Sequence, residues 1–256
     1  TTGTIGGVSF SGFGTLDANG GTGDVADFSG VGAIVVDASI LSNFETLTGN
    51  AGATLNSGAG DDTWLFTAIS SGSLNGATFT GFGTLDAGAG TGDIANYSGA
   101  GAITVTAGVD ALLNAETLIG NAGATFSSGA GDQTWTFTGT SAGTVSGVTF
   151  SGFGTLDGGA GAGDVADFSA AGAVTADLDV LTNFETATGN ALATLDSGAG
   201  DDNWVFATAT TGTIGGVSFS GFGTLDANGG TGDVADFSGV GAIVVDASIL
   251  NNFETL

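Results

Sequence analysis

The chain has 256 residues, among them 26 Asp and Glu and 51 Gly, and it contains no Lys, Arg, His, Pro, Cys or Met. An ordinary soluble chain is about a quarter charged with both signs mixed, so the one-signed composition excludes much. Phosphate clamps, nucleic-acid grooves and anionic-membrane attraction go with the cations, and ordinary zinc sites, Ser-His nucleophiles, haem, disulfides and Schiff bases go with His, Cys and Lys.

Carboxylate chemistry, calcium binding and purely structural roles remain. The chain still has the means to fold, since 41% of it is hydrophobic and it carries 18 Phe and 3 Trp. No apolar run approaches the length of a membrane helix, so no membrane insertion is expected.

In chain order, short apolar segments fall at Val8–Phe10, Thr15–Leu16, Val25–Phe28, Ala33–Val36, Glu45–Leu47, Ala53–Leu55 and Thr63–Phe66. Gly, Asn, Asp and Ser separate them. Several alternate in the two-residue period of a strand, as in Thr63-Trp64-Leu65-Phe66, and none shows helical periodicity. Glycine and asparagine in the gaps supply the positive φ that sharp corners need.

The same series then recurs. Gly-Phe-Gly-Thr-Leu-Asp begins at Gly12, Gly81, Gly152 and Gly221. This defines units 2–70, 71–141, 142–210 and a partial 211–256. The second unit carries two extra residues near Thr106 to Asp110, as a loop insertion would. Residues 1–47 return as 210–256 with one change, Ser42 to Asn251, as expected of an array whose copies are still being duplicated or homogenised.

Short strands, corner glycines and a fixed period predict an all-β, repetitive β-solenoid of the parallel β-helix or β-roll kind, built from units of about 70 residues. A string of small β-sandwich domains is the alternative. The number of strands per coil stays open. A unit divides into unequal halves of 31 and 38 residues or into three coils of about 23. The recurring aromatics, including Trp64, Trp135 and Trp204, are read as core, with a carbohydrate-binding platform as the other reading.

Ser57-Gly58-Ala59-Gly60-Asp61-Asp62-Thr63-Trp64-Leu65 resembles the calcium-binding nonapeptide of RTX proteins, with Asp62 in the aspartate place and Trp64 in the apolar one. Ser197 to Val205 matches in the same way through Asp202 and Trp204, while the second unit has Gln133 there. Phe-Glu-Thr-Leu-Thr-Gly, Gly-Ala-Gly-Asp-Asp-Thr and Asp-Val-Ala-Asp-Phe-Ser together resemble very large bacterial surface and adhesin-like β-strand-repeat proteins. That resemblance implies an extracellular or cell-surface setting and a structural or adhesive role, often with calcium.

The expectation is therefore a non-catalytic structural protein of a bacterial fibre, sheath or surface layer. It would self-associate or continue into a longer array. A calcium-dependent adhesin for polysaccharide or a cell surface is the alternative. Candidate calcium ligands are Asp61, Asp62, Asp132, Asp201 and Asp202, with the series Asp24, Asp93, Asp164 and Asp233. A further series, Asp17, Asp86, Asp157 and Asp226, is read with them as carboxylates that serve turns or oxygen ligation. Glu45, Glu116, Glu185 and Glu254 recur at one position and are expected to face outward from a strand.

Overall fold

The computed structural model describes residues 2–108, 110 and 112–256, so Val109 in the predicted insertion lies outside the described residues. The chain is almost entirely β. Its only helical turns among the described residues are 3-10 turns at Ala38–Ile40 and Ala247–Ile249. No helix among these residues is long and apolar enough to cross a membrane. Two compact bodies form, Thr1–Gly101 with Asp110–Leu118, and Ala102–Val109 with Ile119–Leu256.

Most strands are three residues long and bury only the central residue. Thr46–Thr48, Thr54–Asn56, Thr84–Asp86, Thr155–Asp157 and Thr194–Asp196 all follow this rule, with Leu47, Leu55, Leu85, Leu156 and Leu195 inside. The two-residue period of a strand turns the flanking Thr, Asn and Asp outward. Each strand is too short to be stable by itself. It holds because its buried residue stacks on the same position of the next strand.

In the first body, one ladder runs in the order Val25–Asp27, Thr46–Thr48, Ala77–Thr80, Ser71–Leu74, Thr63–Ala68 and Ile94–Asn96. The outer pairs are parallel, with Val25 opposite Thr46, Thr46 opposite Thr78, and Thr63 opposite Ile94. The middle is an antiparallel meander folded into the same ladder. The second body repeats the order with Val165–Asp167, Thr186–Thr188, Val217–Ser220, Gly212–Ile214, Asn203–Phe206 and Val234–Asp236.

Each repeat therefore advances its ladder by five strand spacings. The tryptophan strand and its hairpin supply three of those rungs. The hairpin turns in the way its residues demand. Asn75-Gly76, Ser146-Gly147 and Gly215-Gly216 all have positive φ at both positions, the primed geometry that matches strand twist.

Further parallel ladders carry the remaining strands. Val35–Asp37, Thr54–Asn56 and Thr84–Asp86 form one, in register. Thr175–Asp177, Thr194–Asp196, Thr224–Asp226 and Leu250–Asn251 form its counterpart near the chain's end.

Trp64, Trp135 and Trp204 are fully buried. Each lies in register with an alanine on the next strand, Ala95, Ala166 or Ala235, so the largest side chain meets one of the smallest. Phe66 stacks on Tyr97 at 4.2 Å, and Phe137 on Phe168 and Phe206 on Phe237 at 4.1 Å. The rings of Phe82, Phe153 and Phe222 lie over Gly49, Gly120 and Gly189, where any Cβ would overlap the ring.

Candidate functional site

Three series of acidic residues recur, and the structure gives each a different environment. The first is turn chemistry. Asp17, Asp86, Asp157 and Asp226 each accept the backbone N–H two residues on, at 2.8 to 3.0 Å. Each also accepts from the side-chain amide of Asn43, Asn114, Asn183 or Asn252, at 2.6 to 2.7 Å. Those asparagines all hold φ near +60°. The carboxylates are satisfied by the corner they build.

The second series is exposed and reaches across loops. Asp61 Oδ1 accepts the N–H groups of Thr91 and Gly92 at 2.9 and 3.1 Å. Asp132 takes the N–H of Ala162, and Asp201 that of Thr231. Asp62, the RTX-like position, is partly exposed and accepts from the Asn75 side chain at 3.0 Å. Asp202, its counterpart, has its pKa raised, first by burial and then by the charges of Asp233, Asp179 and Asp201, against a bond from Ser197.

The third series is buried. Asp93, Asp164 and Asp233 have no exposed surface. Their Oδ1 atoms accept the backbone N–H of Asp62, Gln133 and Asp202, at 2.6 to 2.7 Å, from a loop about thirty residues earlier. Their own N–H groups donate to Oε2 of Glu116, Glu185 and Glu254, at 2.7 to 2.8 Å. The Oδ2 atoms of Asp93, Asp164 and Asp233 are buried and have no hydrogen-bond partner. Burial, the largest cause, together with neighbouring carboxylates raises the pKa of Asp93 and Asp164.

What faces these orphan oxygens is also repeated. A Cβ on Gly90 would overlap Asp93 Oδ2 and stand 2.7 Å from the Gly60 carbonyl oxygen. A Cβ on Gly161 would overlap Asp164 Oδ2 and stand 2.8 Å from Asp132 Oδ1. A Cβ on Gly230 would overlap both Asp233 Oδ2 and the Gly200 carbonyl oxygen. Each glycine thus lets the orphan oxygen and a facing oxygen come closer to the backbone than any Cβ would allow. Asp24 is the incomplete member. It is partly exposed, its Oδ2 is buried and unpartnered, and the Cβ position of Gly21 meets only Asp24 itself.

In each case the polar group that faces the orphan oxygen is itself an oxygen, the donor type that hard cations take. Among the described residues, no three Asp or Glu side chains come together in a way that would hold a metal alone. Backbone carbonyls and water would complete the shell, as they do in many calcium sites.

Sequence reasoning named the nine aspartates of the second and third series as candidate ligands and grouped them by position, without telling the exposed ones from the buried ones. It missed the carbonyls of Gly60 and Gly200 and the role of the glutamates. Glu45, Glu116, Glu185 and Glu254 do not simply face outward, since each accepts the N–H of the buried-series aspartate. The signal was present as spacing: the glutamate follows that aspartate by 21 residues, or by 23 where the insertion falls between them.

The tryptophans present no face to a sugar, so the carbohydrate platform has no support from them. A surface depression of about 530 Å³ in the second body is lined by Thr140, Val174, Leu192, Thr194 and neighbours, none of them titratable. Comparison of the chain with protein-family models, curated proteins and solved structures gives no match.

Proposed function

We propose that this protein is a structural, non-catalytic β-solenoid of an extracellular bacterial fibre, sheath or surface layer. The observation that carries the reading is the repetition of one strand order in both bodies, each time with the same buried tryptophan, the same aromatic stack and the same acidic corners. An enzyme concentrates its chemistry in one place. Here the carboxylates recur in equivalent settings, and most are engaged by backbone N–H groups. The resemblance to bacterial surface repeat proteins supports the extracellular assignment.

A repeat protein of this kind gains stability from neighbour-to-neighbour stacking, which suits a mechanical role. The test is electron microscopy with diffraction of the native assembly. Five strand spacings of about 4.8 Å predict an axial repeat of roughly 24 Å per unit. Isolated globular particles without an axial repeat would overturn the solenoid fibre.

A further inference from the structure

The buried carboxylates of Asp93, Asp164 and Asp233 share one unusual feature, an oxygen that nothing in the chain partners. A buried charge is costly unless it is paired or coordinated. One oxygen of each carboxylate is satisfied by a backbone N–H, and the other has no partner. The neighbouring groups worsen the imbalance: Glu116, Asp62 and Asp61 face Asp93, and Glu185, Asp132 and Asp157 face Asp164. With no Lys, Arg or His in the sequence, no internal cation can offset them.

We propose that the chain binds calcium at three equivalent sites, one at each buried aspartate. The first uses Asp93 Oδ2 and the Gly60 carbonyl, beside Asp61. The second uses Asp164 Oδ2 with Asp132. The third uses Asp233 Oδ2 and the Gly200 carbonyl, beside Asp201. The orphan oxygen and the facing oxygen come from different loops, so the ion joins consecutive levels of the ladder. Gly90, Gly161 and Gly230 let the two oxygens of each site approach one another, since a Cβ at any of them would clash with both. Carboxylate, carbonyl and water oxygens in a glycine-rich loop suit calcium, which accepts six to eight oxygens in flexible geometry. Magnesium demands a tighter octahedron and sheds water reluctantly.

This assignment moves the metal away from the RTX-like aspartates Asp62 and Asp202. Their part is to donate a backbone N–H to the buried carboxylate. It also predicts that Asp24 does not make a fourth site, since the Gly21 Cβ position meets no oxygen from another residue. The inference stands apart from the fibre reading, because three sites per chain can be counted on the chain whether or not it assembles.

The experiment is calorimetric titration of the chelator-treated chain with calcium, with terbium luminescence excited through tryptophan as a second readout. The wild type should take up three ions, and calcium should compete terbium away. Asp93→Asn, Asp164→Asn and Asp233→Asn keep the Oδ1 acceptor and remove the charge. Each should lose one ion and should melt higher than the wild type in chelator, while Asp17→Asn and Asp24→Asn keep all three ions. Undiminished uptake by the triple Asn variant would overturn the proposal, as diffuse counterion binding would then account for it. Absence of terbium or calcium binding by the folded wild type would overturn it as well.

Discussion

At the scale of single residues, close approach decides more than chemistry does. Gly189 lies under the ring of Phe222, as Gly49 lies under Phe82 and Gly120 under Phe153. Overpacking a well-filled site costs about 1–3 kcal/mol. Gly189→Ala should therefore lower the melting temperature by roughly 2–12 °C, at about 2–4 °C per kcal/mol for a chain of this size. Adding Phe222→Leu should recover part of the loss, because the two changes share one contact. Additive losses in thermal melts would show that the glycine serves the backbone and not the ring. The same scale explains what was illegible. Asp61, Asp86 and Asp93 lie in similar glycine-rich surroundings, and nothing local tells an exposed carboxylate from a buried one. What separates them is a partner about thirty residues away, the N–H of Asp62 in the case of Asp93.

At the scale of strands, the short period-two segments and their central buried residues were readable from the sequence. Thr63-Trp64-Leu65-Phe66 does bury Trp64 and Phe66 and expose Leu65. Pairing was not readable, because three-residue strands with the pattern Thr-Leu-Asp fit many partners equally well. The meander that places Ser71–Leu74 between its neighbours depends on an Asn-Gly turn that also resembles an ordinary corner. One ladder carries a consequence of in-register stacking. Asp177, Asp196 and Asp226 are stacked in register on successive parallel strands, where the first ladder has Asn56 at the middle position. Asp177 has its pKa raised, chiefly by burial and then by the charges of Asp196 and Asp179. A pKa raised on folding means a contribution to stability that is full below the unfolded value near 3.8 and is lost as pH rises through the folded value. Asp177→Asn keeps the Oδ1 acceptor for the N–H of Asp179. It should melt a few degrees higher than the wild type at neutral pH, at about 2–4 °C per kcal/mol, and equally at pH near 3. A variant that is no more stable at neutral pH would mean that the stacked charges are already neutralised by an outside cation.

At the scale of the whole chain, a net charge of −26 with no positive side chain has to coexist with a folded state. Much of the answer is that carboxylates accept backbone N–H groups across turns, so the peptide dipoles carry the positive end of each interaction. The ladder geometry adds a second part. The first unit holds seven carboxylates, Asp17, Asp24, Asp27, Asp37, Glu45, Asp61 and Asp62. Spread over five strand spacings of about 4.8 Å, they give one charge per roughly 3.4 Å, half the density of duplex DNA at one per about 1.7 Å. Three spacings per repeat would have raised that density by about two-thirds, so the meander that lengthens each repeat also dilutes its charge. The remaining repulsion is long-ranged and must respond to salt. Between about 0.01 M and about 1 M sodium chloride the screening length falls from about 30 Å to about 3 Å. In chelator, the melting temperature should climb steadily over this range, because compact like charges gain more from screening than the unfolded chain does. With calcium added, the climb should flatten, since ions held at Asp93, Asp164 and Asp233 remove charge from the places where screening reaches least. A melting temperature indifferent to salt in chelator would show that the backbone N–H groups alone offset the charge, and that no outside cation is needed to hold the chain together.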